Sequence, residues 1–305
     1  MNVNKSHISG EEENCPIAGN PATYFGPAII AYLDILGFSN DVLNDWGEHD
    51  NSPLAKLHRI TEGIPEEKKQ LKINIVRPED GSPIAQYRCN FWAISDSIII
   101  AVAIPNTGKD YEFENAALAI YFNISQRWQH SICNGYTIRG AIELGNMFWN
   151  ESECIGPALV NAYNLEKKAD WSRVVLGKEY VKLLVQITMS EKDKIYKHLV
   201  RFLRKDTDGF ISIDPKLFLN KDEYVGPLKE MQRKCKDDSG VYQKYEKLLG
   251  TLRSGSNLPS IDDLKNYCPP IKERRLLIRI CTWICQKMTG FFMGALRPNS
   301  QDFAL

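Results

Sequence analysis

The chain has 305 residues, of which 38 are Lys or Arg and 38 are Asp or Glu, so its formal net charge is zero. That balance argues against a general nucleic-acid binder, which carries a basic excess. A hydrophobic content of 43% with 25% charge is ordinary globular usage and excludes a chain disordered throughout.

The first residues, about 1–24, read as a polar tail without the apolar core of a signal peptide. Ala28 to Leu36 is a short apolar run closed by Gly37, the pattern of a buried strand. Asp34 interrupts it, and a carboxylate in such a run is unfavourable unless it is paired or bound to a metal. Ser39 is expected to cap a helix beginning at Asn40. Strand, tight glycine turn and helix start then follow one another, so backbone N–H groups around Gly37, Phe38 and Ser39 suit a phosphate. Gln86–Ile94 and Ser97–Ala103 read as a strand pair, with Ser95-Asp96-Ser97 as a hairpin link that carries a second acid at its tip.

Apolar residues at 117, 118, 120, 121, 124, 128 and 132 predict a helix over 113–133, ended by Asn134-Gly135. Tyr136 to Ile142 predicts a strand, 156–169 a helix and Arg173 to Leu176 a strand. A long amphipathic helix over 178–204 and a short strand at Phe210–Ile213 follow. The order β-α-β-β-α-β, then α-β, defines an α+β chain with a ferredoxin-like core over 25–215. Residues 216–305 read as a mostly helical extension, with Gly226-Pro227, Ser239-Gly240 and Ser254-Gly255-Ser256 as breakers. Within it, 276–296 is apolar but holds Arg279 and Lys287, which argues against a membrane span and for a packed helix, a membrane-surface helix being the alternative. Lys229, Arg233, Lys234 and Lys236 read as a solvated face, and His58, His130 and His198 have no partner pattern.

The fold alone does not fix function. RNA-recognition modules share it, but no strand here carries their aromatic pattern. The eight cysteines, at 15, 89, 133, 154, 235, 268, 281 and 285, form no C-x-x-C pair and have no His at zinc spacing. A structural zinc site is not expected, and a reduced cytoplasmic protein is. The two isolated acids discriminate further. In this topology Asp34 and Asp96 can converge at one sheet edge, where two hard oxygen ligands suit Mg²⁺ or Mn²⁺. The Ile35 carbonyl is a candidate third oxygen. Two such ions about 3.5–4 Å apart hold a triphosphate, activate an attacking hydroxyl and stabilise the leaving pyrophosphate.

Four segments carry a resemblance. Tyr32-Leu33-Asp34-Ile35-Leu36-Gly37-Phe38-Ser39 resembles the F-x-D-I-x-G-F-S/T metal motif of class III nucleotide cyclases, and Ile94-Ser95-Asp96-Ser97 their I-G-D-A motif. Ile138 to Gly145 is similar to their following strand, and Gly156 to Glu166 to their G-x-x-V-N-x-A-x-R-L helix. Together they span roughly 28–180 in the family's order. Val160 stands where that family has its ribose-contacting Asn, with Asn161 one position off. Asn164 stands where it has its transition-state Arg. Trp92 and Glu153 stand where the purine enzymes carry base-reading Lys and Asp.

The metal half is thus kept and the base-reading half rewritten, as in the pyrimidine nucleotide cyclases of bacterial Pycsar antiphage systems, which the set resembles most. The resemblance implies a lyase that makes cyclic CMP or cyclic UMP from a nucleoside triphosphate with two Mn²⁺ or Mg²⁺ ions held by Asp34, Ile35 and Asp96. It implies a head-to-tail homodimer in which the partner's 153–168 region completes each site, and an effector reached through the cyclic nucleotide. Gly37, Phe38, Ser39, Trp92, Glu153, Asn161 and Asn164 are the candidate substrate contacts. Trp92 either stacks near a base or packs in the core. Arg139 is the preferred cation for the phosphates, ahead of Lys167, Lys168 and Arg173, because its planar fork suits that role. An ion pair with Glu143 or Glu166 is its alternative. The rival readings are a degenerate cyclase-fold module that binds a nucleotide without turning it over, which Asn164 favours, and a polymerase-palm-like enzyme.

Overall fold

The computed structural model describes residues 23–47, 49–61, 70–76, 83–104, 110–189 and 199–269. Most of the expected polar tail and the whole 276–296 segment lie outside the described residues. The chain starts with β1 (Tyr24–Leu36), α1 (Phe38–Asn44) and α2 (Pro53–Thr61), then β2 (Gln70–Val76), β3 (Pro83–Ile94) and β4 (Ser97–Ala103). It continues through α3 (Asp110–Cys133), β5 (Thr137–Trp149), β6 (Cys154–Ile155), α4 (Pro157–Glu166), β7 (Val174–Leu176) and α5 (Lys178–Met189). After β8 (Leu203–Lys205) and β9 (Ile211–Ile213) come α6 (Lys216–Leu219), α7 (Asp222–Lys234), α8 (Ser239–Arg253) and α9 (Ile261–Lys265).

Among the described residues the strands form one sheet in the order β2-β3-β4-β1-β5-β7-β9-β8, with β6 on β5. The centre, β5-β1-β4-β3, is the 4-1-3-2 order of a ferredoxin-like βαββαβ unit, all antiparallel. Only β7 joins its neighbour β5 in parallel.

The period of two along β1 decides which face each residue serves. Ile29, Ala31, Leu33 and Ile35 enter the main core with Ile120, Ile124 and Trp128 of α3, and with Leu228 of α7 and Leu248 and Leu252 of α8. Ala28 and Ile30 point the other way, into a smaller layer with Ile99, Met147, Trp149 and Ala158 and Ala162 of α4. Asp34 continues this second row. The chain after 215 therefore shares its core with the sheet.

Three local expectations change. Of the helix expected over 178–204, α5 covers 178–189, residues 190–198 lie outside the described residues, and its last residues, Leu203 and Arg204, belong to strand β8. Apolar spacing misreads Leu203 because β8 pairs with β9 across a turn in which Gly209 adopts φ 87°. Gly226-Pro227 does not break the chain. Helix α7 runs through Pro227, because buried Leu228 and Met231 hold it to the core against the loss of one backbone bond. Ser39 is not a cap: α1 begins at Phe38, two residues before the expected Asn40, after Gly37 at φ 91°, without a side-chain cap. The short strands β2 and β6 and helix α2 are additions to the expected order.

β1 and β5 approach so closely that a Cβ on Gly140 would lie 2.6 Å from both the Tyr32 carbonyl oxygen and Leu33 Cδ2. Backbone cannot yield there as a flexible side chain can. Gly140→Ala is expected to destabilise the fold by about 1–3 kcal/mol, the usual cost of overpacking. Urea denaturation of the metal-free protein measures it, and a loss under about 0.5 kcal/mol would contradict the contact.

Candidate active site

Strand register places the first acid. Asp34 lies directly opposite Ser97 on β4 and Arg139 on β5. The N–H of Ile35 then donates to the Asp96 carbonyl at 2.8 Å, so the hairpin tip is tied to the strand beside Asp34. The link between β3 and β4 is Ser95-Asp96, with Ser95 at φ 57°. A positive φ at the first central position is the type II′ pattern, where glycine is usual. The hydroxyl of Ser39, from the first turn of α1, donates to Asp96 Oδ2 at 2.6 Å. Residues from β1, α1 and the hairpin thus meet at one end of the sheet.

Arg139 lies between two acids. Its Nη2 donates to Asp34 Oδ2 at 3.2 Å and its Nε donates to Glu166 Oε1. Glu166 ends α4, and its side chain is only 4% exposed. The buried residues of α4 are Ala158, Ala162, Leu165 and Glu166, which share one helix face at i, i+4, i+7 and i+8. The helix therefore drives a carboxylate into an apolar contact, and Arg139 meets it. Glu143, the other candidate partner, instead accepts N–H bonds from Leu144 at 2.9 Å and from Tyr180 in the first turn of α5 at 3.1 Å.

Burial pushes the Asp34 carboxyl above the ordinary carboxylate range, the Arg139 guanidinium opposes that rise, and the Asp96 charge adds to it. Burial likewise raises Glu166, again opposed by Arg139 and reinforced by Asp34. Beside them the Tyr32 hydroxyl bonds Ser97 Oγ at 2.6 Å, and its ring meets Tyr163 edge-on at 5.4 Å. Lys167 Nζ lies 3.8 Å from the centre of the Tyr163 ring.

The other sequence candidates fall in different places. Phe38 is buried in the main core with its ring 5.8 Å from that of Tyr136, so it offers a ligand only its backbone. Trp92 is 8% exposed, packs edge-on to Trp149 at 6.3 Å, and leaves its indole N–H buried without a bonded partner. Arg173 is occupied by Asp206 at 3.0 Å and Asp208 at 2.6 Å. Asn161 is exposed and Asn164 half-buried on α4. Glu153 is exposed and accepts from Asn150 at 2.7 Å in the β5–β6 turn. That turn adjoins Trp149, which opposes Tyr24, ten residues before Asp34 on β1. At 3.3 Å per residue this is roughly 33 Å, so one chain does not bring Glu153 to the acids. At the other end of β1, a cavity of about 850 Å³ opens beside the Gly37 turn, lined among others by Gly37, Lys56, Tyr136, Lys234 and Tyr245.

Asp34 and Asp96 are hard oxygen donors of the kind a divalent cation takes, while among the described residues no group of three or more His, Cys, Asp or Glu side chains is placed to hold a metal ion. Asp34, Asp96 and Glu166 bring three carboxylates to a neighbourhood where Arg139 is the guanidinium that pairs with two of them. Asp34 and Asp96 provide hard oxygens at the mouth of the sheet, and Ser39 fixes one oxygen of Asp96. Of the two partners that the sequence offers Arg139 (Glu143 and Glu166), the structure selects Glu166, which the α4 apolar stripe turns inward.

The sequence matches no protein-family model and no curated protein. Among solved structures, it is similar to a class III adenylyl cyclase-like ATP-binding protein from Pseudomonas aeruginosa, at 11% identity and a TM-score of 0.36 over 56% of this chain and 38% of that one. It is also similar to the adenylyl cyclase CyaB from P. aeruginosa, at 15% identity and a TM-score of 0.34, over 54% of this chain and 83% of that one. The guanylyl cyclase Cya2 gives 12% identity and a TM-score of 0.34, over 53% and 80%. The chain thus spans about two fifths of the first of these. Among the described residues, no helix is long and apolar enough to cross a membrane.

Ser95 sets the placement of Asp96, and its left-handed backbone ranks the residues it accepts. Ser95→Gly is expected to leave stability unchanged or raise it by up to about 1 kcal/mol, while the β-branched Ser95→Val lowers it by more than about 1 kcal/mol. Equal stability of the Val and Gly variants in urea denaturation would contradict this backbone.

Proposed function

We propose that the chain is a cytoplasmic nucleotide cyclase that converts CTP or UTP to the 3′,5′-cyclic nucleotide and pyrophosphate, and that its product serves as a second messenger in antiphage defence. The observation that carries the reading is the convergence of Asp34 and Asp96, 62 positions apart in the sequence, beside the Gly37 turn. The four ordered motifs, from Asp34 to Glu166, support it.

In this reading Asp34 and Asp96, with the Ile35 carbonyl, hold two Mn²⁺ or Mg²⁺ ions. When bound, such ions neutralise phosphate charge and make a hydroxyl a better nucleophile. Ser39 keeps the Asp96 carboxylate oriented, and the N–H groups around Gly37 receive phosphate oxygens. The ribose 3′-hydroxyl forms a bond to the α-phosphorus and loses its proton, while the bond to the pyrophosphate oxygen breaks. Pyrimidine choice rests on Trp92 and Glu153 standing where purine enzymes read the base. The site is completed by a second copy of the chain: the α4 face carrying Val160, Asn161 and Tyr163 is exposed, and Glu153 lies at the far end of the sheet.

Purified protein incubated with each of the four nucleoside triphosphates and Mn²⁺, with products separated by mass, tests the reading. Cyclic CMP or cyclic UMP is expected as the main product. Cyclic AMP or cyclic GMP as the main product would refute the pyrimidine assignment, and binding without turnover would favour the degenerate module. Asp34→Ala and Asp96→Ala are each expected to lower turnover at least about 100-fold in a folded protein. Near-wild-type turnover in either would remove the two-ion assignment.

Mixing Asp34→Ala with a variant damaged in 153–168 should restore part of the activity, because heterodimers would contain one intact site. No recovery in mixtures shown to exchange subunits would place the whole site in one chain.

A further inference from the structure

We propose that Glu166 is a positioning residue that draws Arg139 aside and so leaves Asp34 free to take a cation. This rests on the reading of Asp34 as a cation ligand. Arg139 is the group that competes for that role: its Nη2 already donates to Asp34 Oδ2 at 3.2 Å. Glu166 takes the Nε of the same guanidinium in the closer of the two contacts. The carboxylate cannot withdraw, because Ala158, Ala162 and Leu165 fix its face of α4 against the sheet. Arg139 cannot withdraw either, since Gly140 locks β5 onto β1 at the next residue.

The guanidinium is therefore divided between two acids by backbone placement. Without Glu166 its full charge would fall on Asp34, and a cation would have to displace it. Without Arg139 the competing charge would vanish. The two deletions should thus act in opposite directions on the same equilibrium, although both remove one ion pair. Loss of a merely structural contact would weaken cation binding in both.

The experiment is a double-mutant cycle on the full chain, read by the electron-paramagnetic-resonance signal of free Mn²⁺ during titration, with no nucleotide present. Glu166→Ala should weaken Mn²⁺ binding roughly tenfold, the size seen for outer-shell partners of metal ligands. Arg139→Met should tighten it. In the Arg139→Met background, Glu166→Ala should change affinity by less than about threefold, since interacting residues are not additive. Glu166→Gln keeps an acceptor for Arg139 Nε and should retain most of the wild-type affinity, which keeps the test decisive if Arg139→Met does not fold. An equal weakening by Glu166→Ala in both backgrounds, or by Glu166→Gln as much as by Ala, would show that Glu166 acts on the cation directly and would overturn the proposal while sparing the cation site. Wild-type protein that binds no Mn²⁺ would overturn the underlying reading, and this proposal with it.

Discussion

A carboxylate near the end of a buried strand is the constraint around which this site is built. Asp34 follows Ala28, Ile30 and Tyr32 on the face of β1 that α4 covers, and its side chain is half-buried there. Burial alone raises the proton affinity of such a group. The sheet answers with Arg139 directly opposite, and α4 answers Arg139 with Glu166. Arg139 is partly exposed and Glu166 is buried, and the sequence of compensation ends with acids in excess. That excess lies next to a hairpin tip carrying a further acid, Asp96.

The arrangement depends on register more than on any single bond. A shift of one residue between β1 and β5 would turn Arg139 to the other face, toward α3. Thirteen consecutive pairs from Tyr24–Trp149 to Leu36–Thr137 leave no room for that shift. Gly140 contributes by letting the two backbones approach at the residue next to Arg139, where a Cβ would collide with the Tyr32 carbonyl oxygen. The packed face of α3 holds the far side of the same strands through Ile120, Ile124 and Trp128. Ion placement is thus inherited from apolar packing.

The central order of the sheet was legible because its strands are short apolar runs bounded by Gly, Asn and Asp, and because a carboxylate in such a run is conspicuous. Asp34 and Asp96 stand out for that reason. Glu166 was legible as one of two possible partners of Arg139, but its inward turn appears only when α4 is wrapped as a helix and Ala158, Ala162 and Leu165 fall on one face with it. Ser39 was legible as a helix-start residue, but which acceptor it finds depends on Asp96, 57 positions away. Strand β8 was hidden because Leu203 continues a helical apolar spacing, and only pairing with Ile213 makes it extended. Trp92 shows the same limit from the other side. A large aromatic reads equally as a base platform or as core, and its neighbours Ile99 and Trp149 decide its packing.

The helices after the ferredoxin-like unit belong to the same physical object as the acids. Leu248 and Leu252 of α8 share a core with Leu33 and Ile35, the residues that flank Asp34. Met231 and Tyr245 wall the cavity whose other side is Leu36, Gly37 and Asn40. Lys56 and the Tyr136 hydroxyl both reach Asp41 on α1 from that cavity, at 3.4 and 2.8 Å. Helix α1 is seven residues long and has no side-chain cap, so these contacts and the core position of Phe38 are what hold it. Because α1 carries Ser39, the contacts that hold α1 also hold the hydroxyl that donates to Asp96. The cavity wall formed by α7 and α8 thus faces the same short helix that carries Ser39, with the Gly37 turn joining that helix to β1.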